Sequence, residues 1–179
     1  MPATHIAFLR GINVGTAKRV PMADLRDLFA ALGYRHAATL LNSGNVVFEA
    51  GRDTPAKAEK RIEKAIVERF GFSSRVTVIT AAELEAIIAE NTLQDAATDH
   101  SRLLIAVLKT PADREKIVPL AERKWDPDAF APGTRAAYLW CPGGMLESPL
   151  MAAVAKALGD AHTVRNWATI QKLAALVAR

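Results

Sequence analysis

The chain has 179 residues, 50% hydrophobic and 23% charged, which fits one globular domain or two small ones. No apolar run approaches the roughly 18 residues of a membrane-spanning helix, MPATHIAFLRG lacks the basic and small-residue marks of a secretory leader, and one cysteine, Cys141, excludes an internal disulfide or a Cys-rich zinc cluster; the expected address is the cytoplasm. Net charge is +4, but residues 1–80 hold 12 basic against 7 acidic side chains and residues 81–179 hold 11 against 12. The basic bias of the first half favours anionic partners such as phosphates or nucleic acid, although a solvated surface accounts for it equally.

HIAFLR (5–10) reads as a strand, and Pro21 opens a helix whose Leu25, Leu28, Phe29 and Leu32 recur at helical spacing before Gly33. HAATLL (36–41) and NVVFEA (45–50) are short strand-type runs joined by Asn42, Ser43 and Gly44, residues suited to a tight hairpin. Thr54 and Pro55 then start a second helix that Gly71 closes, and RVTVIT (75–80) reads as a fourth strand. The order βαββαβ is that of a ferredoxin-like sandwich. Thr80 and Glu83 form a capping box for a helix to about Glu90, and the polar stretch 91–101 reads as a linker. Further on, 103–109 and 135–140 read as strands. Helices start at Thr110–Pro111 and Ser148–Pro149, and a last helix carries Trp167, Ile170, Ala174 and Val177. The expected division is a ferredoxin-like part at 1–80, a helix and linker at 81–101, and a second, related α/β part with a C-terminal helix at 102–179. The fold class is therefore α+β.

In that topology strand 3 lies between strands 1 and 2, so the loop 10–19 and the turn 42–45 meet at one end of the sheet. Helix 1 starts there too, with free N–H groups and a positive dipole end. Arg10, Asn13, Gly15, Lys18, Asn42, Ser43 and Asn45 are the candidate ligand-binding residues on that edge. A purely architectural account stands beside this: glycines for left-handed turns, asparagines bonded to their own backbone, and solvated cations. The loop matches neither the Walker A nor the G-x-G-x-x-G spacing.

His5, His36, His100 and His162 fall in separate segments, which gives no support for a metal site. Ser43 has no nearby histidine to act as its base, and Glu59, Glu63 and Glu83 read as surface carboxylates that cap or pair along helices. Cys141 reads as buried packing. Strand 3 offers only Phe48 and lacks the aromatic pattern of an RNA-recognition module; Phe8, Ile6, Val46 and Phe48 read instead as an apolar face covered by the second half of the chain. No cofactor and no catalytic residue is indicated, and oligomeric state is not encoded in any motif.

Three ordered motifs, FLRGINVGTAKRVPMADLRDLFAALG (8–33), LLNSGNVVF (40–48) and TVRNWATIQKL (163–173), resemble those of the DUF1697 family, a bacterial family of unknown function. The resemblance covers nearly the whole chain and implies an α/β protein with a ferredoxin-like first part and a related second part. It brings no activity, but it adds Arg165, Asn166 and Trp167 to the candidate residues. The chain departs from the family pattern at Thr16, Val164 and Ala168, where glycine, threonine and asparagine are usual. The architectural alternative makes Asn166 a helix cap, Trp167 core packing and Arg165 a surface ion pair. Three functions remain in view: a binder of a phosphorylated or anionic ligand, nucleotide or nucleic acid included; an enzyme on a small anionic metabolite in a cleft that includes Arg165; and a structural or oligomerising protein.

Overall fold

The computed structural model describes residues 3–179. The chain forms two compact units, one running to Ala82 and including Ala175–Arg179, the other comprising Glu83–Ala174. Among the described residues no helix is long and apolar enough to cross a membrane.

In the first unit the elements run β1 (Thr4–Leu9), α1 (Met22–Ala31), β2 (Arg35–Leu40), β3 (Asn45–Glu49), α2 (Pro55–Phe70) and β4 (Val76–Thr80). The sheet order is β2-β3-β1-β4, with every neighbouring pair antiparallel. Alternation along the strands sends Ala7, Leu9, Val46, Phe48, Val76 and Val78 into one core with Leu25, Leu28 and Phe29 of α1 and Ala58, Ile62 and Ile66 of α2. Phe29 meets Phe48 edge to face at 4.9 Å. Val46 and Phe48 thus face the helices, whereas Ile6 and Phe8 occupy the opposite, equally buried face; the four residues do not form the single apolar face that their proximity in the sequence suggested. At the ends of α2, the Thr54 side chain accepts from the Lys57 N–H and Gly71 closes the helix at φ 77°.

The second unit holds α3 (Ala81–Ala89) from Glu83 onward, β5 (Leu103–Leu108), two 3-10 helices (Pro111–Lys116 and Val118–Glu122), β6 (Ala129–Pro132), β7 (Ala136–Trp140), α4 (Pro149–Leu158), β8 (His162–Asn166) and α5 (Trp167–Val177) up to Ala174. Its sheet is also four-stranded and antiparallel, in the order β6-β7-β5-β8. Counting strands from the start of each unit, the two sheets share one connectivity. Residues 91–101 belong to this unit, where Asn91 is buried and its side-chain oxygen accepts from the Leu93 N–H. Glu83 pairs with Arg135, and the Tyr138 hydroxyl donates to the Ile87 carbonyl at 2.6 Å, which ties α3 to β7.

Candidate functional site

The register of the first sheet brings the end of β1, the end of β2 and the start of β3 together: Asn45 lies opposite Phe8 on one side and Leu40 on the other. Two loops meet there. The Asn13 side chain joins them, donating through Nδ2 to the Asn42 carbonyl at 2.8 Å and to the Val20 carbonyl at 3.0 Å, while its Oδ1 accepts from the Val20 N–H at 2.8 Å. Both amide protons are committed, so Asn13 acts here as a clasp. Asn45, wholly buried, donates to the Leu40 carbonyl and to the Ser43 hydroxyl, each at 2.9 Å, and so fixes the hairpin.

Left-handed backbone is concentrated in these loops. Gly11, Asn13, Gly15, Lys18, Leu41 and Gly44 all have φ between 50° and 86°. At Gly44 (φ 86°) a Cβ would lie 2.8 Å from Leu9 Cβ and 2.9 Å from Ile12 Cδ1, and the Gly44 carbonyl accepts from the Leu9 N–H at 2.8 Å. The close approach of the two loops therefore depends on the absent side chain.

A pocket of about 240 Å³ opens beside the clasp, lined by Asn13, Arg19, Val20, Pro21, Met22 and Asn42. It includes the start of α1, where Pro21 occupies the N-cap position and no side chain caps the helix. Pro21 therefore sits one position earlier than the sequence pattern suggested, and the first helical N–H groups are left without a side-chain acceptor. Arg19 is exposed and has neither an ion pair nor a hydrogen bond among the described residues. Lys18 faces elsewhere: its Nζ donates to the Ser73 carbonyl at 3.1 Å and lies 5.8 Å from the centre of the Phe72 ring. Arg10 holds the start of β4, its N–H donating to the Arg75 carbonyl and its carbonyl accepting from Ser74 Oγ. Neither Lys18 nor Arg10 lines the pocket. Arg19 was not among the ligand-binding residues selected from the sequence, although with Arg10 and Lys18 it is one of the three cations of the loop 10–19.

The third motif lies in the second unit. Asn166 Oδ1 accepts from both the N–H and the hydroxyl of Thr169 at 2.9 Å, which makes it the cap of α5. Trp167 is 1% exposed, and its indole Nε1 has no acceptor among the described residues. Arg165 donates to Thr163 Oγ1 at 2.9 Å and to the Val164 carbonyl at 2.8 Å, and burial lowers its guanidinium to about 10. The strand β8 that carries it had no counterpart in the sequence reading, which took this motif directly into a helix.

Elsewhere, Cys141 is fully buried, its thiol pushed up by burial and donating to Ser148 Oγ at 3.3 Å. Ser148 donates to Asp128 at 2.7 Å and caps α4 through the Met151 N–H. A thiol so enclosed is a packing group rather than a nucleophile.

No curated protein matches the sequence. Among solved structures the chain is similar to the conserved bacterial protein SP0830 from Streptococcus pneumoniae, with a TM-score of 0.75 over 98% of each chain and 20% identity, a likeness of fold alone. The family model described as "Protein of unknown function (DUF1697)" matches residues 3–138, a span that contains the clasped loops and the pocket, and the chain accordingly belongs to the DUF1697 family.

Proposed function

We propose that the protein binds a phosphorylated or otherwise anionic small molecule at the end of its first sheet, on a unit of ferredoxin-like design. One observation carries the reading: an uncommitted arginine, Arg19, lines a pocket together with Asn42 and the uncapped start of α1. Cation, side-chain amide and helix N–H groups form a combination suited to an oxyanion. Glycines and clasping asparagines at the ends of β1 and β2 hold that pocket open, which gives the loop motifs a role in positioning rather than in contact.

Calorimetric titration with inorganic phosphate and with a nucleoside monophosphate at low salt tests this. Binding is expected, and Arg19→Ala weakens it by about 10- to 100-fold, the worth of one charge-assisted hydrogen bond. Absence of binding by both probes, or affinity unaltered in Arg19→Ala, overturns the reading. A single-stranded oligonucleotide serves as a control, since a nucleic-acid site loses affinity steeply as salt rises.

A second reading has its own observation: every polar atom of the Asn13 side chain is used within the loops. On that account the motifs only close the sheet end. It predicts that loop substitutions lower the melting temperature while no probe binds.

A further inference from the structure

The two helices of the first unit carry opposite charge on their accessible side. In sequence α2 is mixed, with Lys57, Lys60, Arg61, Lys64 and Arg69 set against Glu59, Glu63 and Glu68. Two of those carboxylates are turned to β4, where Glu59 accepts from the Val78 N–H and Glu63 from the Val76 N–H. Lys57, Lys60 and Lys64, at i, i+3 and i+7, are exposed along one stripe. Lys57 meets Asp53 at 2.8 Å and Lys64 meets Glu68 at 3.7 Å, while Lys60 has no ion pair among the described residues. On α1 the balance is reversed. Asp24 and Asp27 share one cation, Arg69, at 3.4 and 3.9 Å, and the helix's own arginine, Arg26, donates to Thr39 of β2.

An apolar groove of about 350 Å³ separates the two helices, lined by Leu28, Ala31, Leu32, Ala65, Glu68 and Arg69. Arg69 beside Asp24 at one end, and Arg61 donating to the Leu32 carbonyl at 2.7 Å at the other, show that the helices run antiparallel. The two charged lining residues are each ion-paired, so the groove offers aliphatic surface rather than a polar site. An apolar centre with a charged rim is the anatomy of a protein interface.

We propose that this face is the interface of a two-fold dimer, in which the acidic α1 of each chain meets the lysine stripe of α2 in its partner and the grooves of both chains are covered. The charge pattern selects a second copy as the occupant. An acidic strip beside a basic strip complements itself after a half-turn, whereas a partner of uniform charge is repelled by one half of it. With 16 residues α2 is about 24 Å long, and two helices side by side are about 20 Å across, so a dimer buries about 1,000 Å² in all, the lower limit for a specific interface. The dimer is accordingly weak, with a dissociation constant of about 10–100 μM.

Sedimentation velocity on the full chain at low salt, up to about 300 μM, is expected to show the mass rising from one chain towards two. Ala31→Glu puts a carboxylate into the groove from an exposed helix position and is expected to weaken association roughly tenfold or more, with helicity by circular dichroism unchanged. Lys60→Glu with Lys64→Glu makes both helices acidic, and Asp24→Lys with Asp27→Lys makes both basic. Each double variant alone is expected to stay monomeric, and an equimolar mixture of the two to recover the dimer, because only the mixed pair restores both contacts. A single-chain mass for the unaltered protein at every concentration overturns the proposal, and so does association that persists undiminished in Ala31→Glu. A mixture of folded double variants no more associated than its components overturns it as well.

Discussion

Gly44 stands where the β2–β3 turn packs directly against Leu9 and Ile12. Its φ of 86° is unfavourable for other residues, and a methyl group there meets Leu9 and Ile12 at under 3 Å. Gly44→Ala is expected to cost about 2–4 kcal/mol, from left-handed backbone and overpacking together. Gly15→Ala, at φ 62° with open space around the position, is expected to cost only about 1–2 kcal/mol. Urea denaturation followed by circular dichroism measures both. A second residue-scale expectation concerns acid. Hydrogen bonds from Lys57 and then Arg61 hold the Asp53 carboxyl down from 3.8 to about 2, with Tyr34 adding a third. The folded state thus favours the carboxylate. Its contribution is complete above the ordinary value of 3.8 and is lost as the pH falls through about 2. The stability gap between the unaltered protein and Asp53→Asn should accordingly shrink from pH 4 to pH 2 in parallel urea titrations; a gap that stays constant would count against this network. At this scale the sequence was informative about residue types and silent about direction. Asn166 could be recognised as a cap because its bonds reach no further than Thr169, whereas the clasp of Asn13 on the Asn42 carbonyl, the course of Lys18 to Ser73 and the position of Arg19 depend on how two separate loops fold, which composition does not specify.

Among the elements, α2 is fastened to β4 by its own carboxylates. Glu63 accepts from the Val76 N–H and Glu59 from the Val78 N–H, each at 2.9 Å, and both valines are fully buried. These glutamates, one helical turn apart, satisfy ladder N–H groups that β1 does not reach; the expectation of surface caps and pairs does not hold for them, nor for Glu83, which pairs with Arg135 across its unit. Glu59→Ala and Glu63→Ala are each expected to cost about 1–3 kcal/mol through an unsatisfied buried donor. Gln at either position should cost less, because its amide oxygen can still accept. The strands and helices of the first unit were legible because Thr54, Pro55, Gly33, Gly71 and the Asn-Ser-Gly turn punctuate them. In the second unit β6 is four residues ending at Pro132, and β8 runs straight into α5. β6 is short and contains a proline, and β8, though as long as β3, has no turn residue to separate it from α5; the expected helix at Thr110 is two short 3-10 helices instead.

For the whole molecule, two four-stranded antiparallel sheets with one strand connectivity account for the α+β class, although the sequence holds no visible repeat. A division into contiguous segments cannot express α5, whose last residues, from Ala175, belong with the first unit. Leu176 and Val177, beyond the end of the second unit, line a 140 Å³ pocket with Thr4, His36, Ala38, Val47, Phe48 and Glu49 of the first. Removal of residues 175–179 is expected to lower the stability of the first unit by about 1–2 kcal/mol, as loss of two partly buried aliphatic side chains would, with the change read from the circular dichroism melt.

The distribution of chromophores then decides how these experiments must be observed. Trp125, Trp140 and Trp167 all lie in the second unit, as does Cys141, while the first unit has Tyr34 as its one strong near-ultraviolet absorber. Tryptophan emission and thiol alkylation are therefore reporters of the second unit, and the first is nearly dark to both. Superposed fluorescence and circular dichroism unfolding curves would mean that the units melt as one cooperative body. Curves that separate would assign the fluorescence transition to the second unit and leave the remainder to the unit that holds the clasped loops.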